Sequence, residues 1–258
     1  MSDQDRKNGV TVGALDSRKV LIIGGSAGMG LGIAEAAVDE GATVAIAARG
    51  PERLEEAAHH LEDRGGRPVL RRALRIEDRG AVRGLFEEFA PFDHMALPGS
   101  TVPPISYNDL TEEVANVSFE SKFWGPFWAV FDGREHMRSG GSIVFFSGVA
   151  SQRPVPGYVV GACINGALEA ATRSLALELG RSGLRINTIS PGFIMTPLFE
   201  ALHQPEDIAE RLADAKRRLP VGRVGTPAEA ASAAMMFMTN GFVTGQILTL
   251  DGGLLATY

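Results

Sequence analysis

A short apolar run, Val20-Leu21-Ile22-Ile23, leads directly into Gly24-Gly25-Ser26-Ala27-Gly28-Met29-Gly30, and a helical pattern then continues to about Glu40. A buried strand that turns through glycines straight into a helix fits very few architectures. It opens a parallel α/β unit and aims the free N–H groups of a helix start at whatever lies above the turn. Gly24 permits the tight turn. Gly28 lets the backbone approach a ligand closely, and Gly30 lets the helix pack on the strand. Ser26, Ala27 and Met29 complete the loop, Ser26 with a hydroxyl. Such a turn suits a pyrophosphate.

The rest of the chain repeats that alternation. Strands are expected at Val20–Ile23, Thr43–Ala48, Pro68–Ala73, His94–Leu97, Ser142–Phe146, Arg185–Ile189 and Gln246–Leu250. Helical patterns lie between them, near 28–40, 51–63, 78–89, 108–138, 161–181 and 227–238. This order predicts an α/β fold: a doubly wound, Rossmann-like parallel sheet of about seven strands with helices on both faces. Residues 1–17 read as a flexible arm and 18–258 as one domain. No apolar run approaches the roughly 20 residues that span a membrane. The polar start lacks an apolar signal region, and the lone Cys163 fits a reducing compartment, so a cytoplasmic location is expected. A net charge of −6 speaks against nucleic acid as a partner, since the arginines between 64 and 83 are interleaved with acids. No pattern of metal ligands stands out.

Further motifs carry a family likeness. They are the spacing Gly-x-x-x-Gly-x-Gly, Asn187-Thr188-Ile189-Ser190-Pro191-Gly192 with Thr196, Gly225-Thr226-Pro227-Ala228-Glu229, and Val243-Thr244-Gly245-Gln246 leading to Asp251-Gly252-Gly253. From about Arg18 to Leu255 the chain resembles the short-chain dehydrogenases/reductases. The resemblance implies a nicotinamide dinucleotide on the glycine turn, with Gly99 close to its ribose. It implies that Pro191, Gly192, Ile194 and Thr196 hold the carboxamide. A substrate lid is implied around 193–219. At the end of the second strand Ala48 stands where NAD-preferring relatives carry Asp, and Arg49 follows. A guanidinium matches a 2′-phosphate, so NADP(H) is expected ahead of NAD(H).

The same resemblance implies a catalytic Asn, Ser, Tyr and Lys, and here this chain departs from it. With the register set on Asn165-Gly166-Ala167-Leu168, Gly161 replaces the Tyr and Asn165 the Lys. Gly148 replaces the Ser, and Lys122 stands at the Asn position. Lys122, Ser147 and Tyr158 are therefore the polar candidates for chemistry. Lys122 stabilises an alkoxide or enolate, Ser147 bonds substrate if the turn shifts by one residue, and Tyr158 donates a proton. Three functions stay open: a reductase with a rebuilt site acting on an apolar small molecule, an iminium reductase or cyclase of a biosynthetic pathway, and a silent NADP-binding sensor or structural subunit. Phe193, Met195, Leu198, Phe199, Val155, Tyr158, Val102 and Pro104 are the expected pocket wall. The resemblance also implies that the small-residue helix from Gly161, the helix before it and the final strand build subunit interfaces, so a homotetramer or homodimer is expected, while the aromatics at 123, 124, 127 and 128 go to core or to such a contact.

Overall fold

The computed structural model describes residues 13–98, 102–197, 199 and 204–257. Seven strands form one parallel sheet: β1 (Lys19–Ile23), β2 (Thr43–Ala48), β3 (Leu70–Ala73), β4 (Phe92–Leu97), β5 (Met137–Phe146), β6 (Arg185–Pro191) and β7 (Ile247–Leu250). Their order in space is β3-β2-β1-β4-β5-β6-β7. The chain crosses over between β1 and β4, which opens a crevice at the C-terminal ends of those strands.

The continuous apolar character of the strands follows from burial on both faces. On β1, Val20 and Ile22 join one core cluster, with Ile33, Ile46, Leu61 and Phe237. Leu21 and Ile23 join the other, with Phe86, Phe92, Phe145 and Ile164. β5 divides in the same way, Val144 and Phe146 to the first and Ile143 and Phe145 to the second. Each such side chain contributes about 1.5–3 kcal/mol through removal from water. Helices α1 (Gly28–Asp39), α2 (Pro51–Gly65) and α3 (Arg79–Phe89) follow the first three strands. α6 (Val159–Gly180) precedes β6, α7 (Pro205–Arg218) lies in the segment after it, and α8 (Pro227–Thr239) precedes β7.

Two expectations change. Residues 13–17 are docked: Leu15 is only 2% exposed and its N–H bonds Glu40 O at 3.1 Å. The stretch 108–138 is not one helix. It divides into α4 (Glu112–Phe119), a π-turn over Glu120–Trp124, α5 (Gly125–Gly133) and a short 3-10 turn, and residue 137 already begins β5. Pro126 supplies the cause, because it has no N–H to offer the carbonyl of Lys122 and its ring crowds that position. The wider turn closes instead through Gly125 N–H to Glu120 O. Asn187 fixes the far side of the sheet, donating from Nδ2 to Val243 O at 3.0 Å and accepting from Gln246 N at 3.0 Å.

Candidate active site

The glycine turn has the form its sequence requires. Gly24 and Gly28 sit at φ 104° and 54°, in the left-handed region that side chains avoid. A Cβ at Gly30 would overlap Gly24 O, so the helix start packs directly on the turn. The N-cap Ala27 gives no side-chain hydrogen bond, and the first turn of α1 carries no acid. The N–H groups there are left for an anion.

Thr196 closes the other side: its Cγ2 would lie 3.3 Å from a Cβ at Gly28. The segment before it is held by backbone pairing. Gly225 N–H bonds Phe193 O at 2.9 Å and Met195 N–H bonds Gly225 O at 3.0 Å. Gly225 is in turn set by the capping box of Thr226 and Glu229 at the head of α8. A dinucleotide fits these residues. The uncapped helix N–H groups would hold its phosphates, and Thr196 stands across from Gly28. Arg49 leaves the end of β2 exposed, and among the described residues nothing pairs with its guanidinium. Gly99 and Leu198 lie outside the described residues.

The head of α6 brings Tyr158 onto Gly161. Tyr158 is the residue before the helix, and its ring lies over Gly161. A Cβ at 161 would be 2.6 Å from Tyr158 Cδ1 and 2.9 Å from Cζ. The space above Gly161 is thus filled by a phenol that arrives from three residues upstream. Burial pushes the Tyr158 hydroxyl up from its usual value, which keeps it a donor. Lys122, on the π-turn packed against α6, is 8% exposed. Burial alone brings its ammonium down to about 8 from 10.5. No described side chain pairs with it. Asn165 is 1% exposed, and its Oδ1 has no hydrogen-bond partner among the described residues. Its Nδ2 would sit 2.9 Å from a Cβ at Gly148, so the missing side chain at 148 makes room for this amide.

Ser147 is anchored to α6. Its hydroxyl donates to Glu169 Oε1 at 2.9 Å and it is 4% exposed. Ser151 and Ser190 donate to the same oxygen at 2.8 and 3.4 Å. A buried carboxylate that gathers three hydroxyls holds the end of β5, the turn after it and the end of β6 onto α6. Glu169 was not singled out from the sequence. The available signal was its place on the inward stripe Asn165, Leu168, Thr172, Ala176, Leu179, where an acid calls for partners.

A cavity of about 630 Å³ opens beside this site, beneath α7. Val149, Pro154, Val155, Pro156, Phe193, Leu219 and Leu254 form an apolar wall. The wall from α7 is charged, with Asp207, Glu210, Arg211, Asp214 and Arg218. Of the expected lining, Val155 and Phe193 face this space, and Phe199 packs on Phe193 with ring centres 4.6 Å apart. Val102 is instead a core residue, 1% exposed, and Pro104 lies exposed on the loop. Met195 and Tyr158 do not line this cavity. Arg153 ties the loop to the chain's end, donating to Leu254 O and, at 2.8 Å, to Thr257 Oγ1.

Fold and glycine turn together are those of the nicotinamide-dependent dehydrogenases, and the chain belongs to the short-chain dehydrogenase/reductase family. The family model described as enoyl-(acyl carrier protein) reductase matches residues 24–255. The chain is similar to the short-chain dehydrogenase/reductase ATR9 of Stachybotrys chlorohalonatus, 32% identical over 92% of this chain and 96% of that protein. It is also similar to the 3-oxoacyl-[acyl-carrier-protein] reductase FabG of Chlamydia muridarum, at 28% identity over 93% and 98% of the two chains. A solved small-chain dehydrogenase in complex with NADPH superposes with a TM-score of 0.78 at 30% identity, covering 93% of this chain and 99% of that one. The family's activity is oxidoreduction.

Proposed function

We propose that the protein is an NADP(H)-dependent reductase of a small molecule with an apolar body, and that Tyr158 and Lys122 serve its reacting oxygen. The ring of Tyr158 over Gly161 carries this reading, because it keeps a phenol at the head of α6 although residue 161 has no side chain. When bound, the nicotinamide supplies hydride; the chain must supply the proton and the charge. The Lys122 ammonium, brought to about 8, still holds its proton near neutrality and gives it up readily. Tyr158, held protonated, donates a hydrogen bond. Ser147 and Glu169 support the floor beneath them. The segment 193–219 closes over the substrate, with the apolar wall taking its body. Arg49 receives the 2′-phosphate of NADP, and NADPH in a similar solved enzyme supports that choice.

The partner we propose is a second copy of the chain, in a dimer or tetramer. Trp124, Phe131, Val159 and Leu177 leave 37%, 46%, 42% and 77% of their surfaces exposed, apolar surface that a second copy would cover. Calorimetric titration with NADPH and with NADH tests the cofactor. A panel of ketones, enones and imines then tests turnover. Unchanged turnover in both Lys122→Met and Tyr158→Phe would remove these residues from the chemistry.

A further inference from the structure

Lys122 is a buried amine with nothing to hold its charge. It is 8% exposed, on the π-turn between α4 and α5. It makes no hydrogen bond or ion pair with any described residue. The charged residues on the π-turn and on the helices packed against it are Glu112, Glu113, Glu120, Asp132, Glu169, Arg173 and Glu178. None of them moves Lys122, whose amine is brought to about 8 by burial alone. Yet the tip of the side chain is not sealed. Among the described residues, the side-chain polar atoms both closed off from solvent and without a hydrogen-bond partner are Glu77 Oε2 and Asn165 Oδ1. Lys122 Nζ lacks a partner and is not one of them, so it keeps an opening.

Two other lysines are placed differently. Lys19 Nζ donates to Phe89 O and lies over the Phe89 ring, 4.2 Å from its centre. Burial and Arg138 lower its basicity, but Asp93 works against them. Lys216 stands exposed on α7. Lys122 alone among these three combines a dry setting, no acid and no bonded partner.

We propose that Lys122 is a covalent attachment site for a carbonyl compound, its neutral amine condensing with an apolar aldehyde or ketone to a Schiff base. Nζ attacks the carbonyl carbon, a C–N bond forms, and the carbon–oxygen π pair moves to oxygen. A proton passes from nitrogen to that oxygen, and loss of water leaves C=N. Nothing is oxidised or reduced. The step needs an amine that gives up its proton easily, and a desolvated lysine without a counter-charge supplies one. Near neutral pH about a tenth of such an amine is neutral, against about one part in a few thousand of an ordinary lysine. An apolar carbonyl is the fitting class, because Phe119 and Phe123 on the same stretch pack against the core and a charged compound would lose its hydration on entry. The inference goes beyond the reductase reading and stands apart from it. Proton donation to a substrate oxygen uses the ammonium, and condensation uses the free amine.

The test is reductive trapping on the full chain without nicotinamide, near neutral pH. Hexanal is the apolar probe and glyoxylate the charged one. Cyanoborohydride reduces each Schiff base to a stable secondary amine, and peptide mass mapping assigns it. Hexanal is expected to label Lys122 at least about tenfold faster than Lys19 and Lys216, and to outpace glyoxylate there. Unfolding in guanidinium should abolish that preference. A terminal α-amine, with an ordinary value near 8, maps to its own peptide and serves as the reference. Lys122→Arg keeps the charge but cannot condense, so the label at 122 disappears while the other peptides are unchanged. Labelling of Lys122 no faster than Lys216 overturns the site, and faster labelling by glyoxylate overturns the apolar class. The map of the parent protein decides even where a variant does not fold. No cofactor is present, so failure here is distinct from a failure to bind NADPH.

Discussion

Replacing Lys122 by Met removes a buried ammonium while leaving an unbranched chain in its place. Lys122 titrates at about 8 in the folded protein against an ordinary 10.5, and burial is the cause. A base whose folded value is lowered penalises the folded state. The penalty is fully present below about 8, where folded and unfolded chains both hold the proton. It is relieved as pH rises from about 8 to 10.5, where only the unfolded chain keeps the proton. That interval corresponds to about 3 kcal/mol. Lys122→Met is therefore expected to be more stable than the parent near neutral pH by up to about 3 kcal/mol, with a gap that narrows at about pH 10. Urea unfolding at matched protein concentration, followed by the fluorescence of Trp124 and Trp128, measures both values. No gain near neutrality, or a gain that does not change with pH, would mean that the ammonium is solvated. The same variant should lose turnover, which would mark Lys122 as a group retained for chemistry at the expense of stability.

Arg49→Ala should weaken NADPH binding by about 10- to 100-fold, the loss of charge-assisted hydrogen bonds, and leave NADH nearly unchanged. Equal weakening in the two titrations would remove Arg49 from the 2′-phosphate. Glu169→Ala strands the hydroxyls of Ser147, Ser151 and Ser190 and should cost about 3 kcal/mol in denaturant unfolding, whereas Glu169→Gln retains an acceptor and should cost less. Gly30→Ala drives a methyl into Gly24 O, so NADPH titration should show binding lost while circular dichroism keeps its helical signal. Asp132 is held down to about 2, first by its hydrogen bond from Arg79 and then by Arg83. Its contribution is present above its ordinary 3.8 and is lost as pH falls through about 2, so Asp132→Asn should flatten acid unfolding in that window.

The fold was legible because it rests on period and punctuation. Val20 to Ile23 read as a strand buried on both faces, and β1 sends alternate residues into two cores. Glycines 24, 28 and 30 fixed where the strand ended and the helix began. The helix over 108–138 failed because an apolar pattern outweighed one proline. Pro126 sat inside that pattern and forced the π-turn that carries Lys122. The site was legible in its frame only. That Tyr158 covers Gly161 depends on how the chain enters α6, which spacing does not encode. The partner of Ser147, Glu169, lies 22 positions away on another element, which spacing does not reveal. The cavity was read as apolar because its charged wall comes from α7, whose exposed acids and arginines look in sequence like any solvated face.

The phenol over Gly161 also limits how this site can change. Even the single methyl of an alanine at 161 would meet the Tyr158 ring at 2.6 Å from Cδ1 and 2.9 Å from Cζ. Position 161 therefore cannot carry a side chain while Tyr158 holds its present rotamer. The two positions are bound by sign epistasis: a tyrosine at 161 is harmful in this background and acceptable only after residue 158 has become small. A variant with both residues small would have no phenol at the head of α6. Attempts to convert this protein by grafting Tyr and Lys onto α6 should start from the double replacement at 158 and 161, because the single graft begins with a collision.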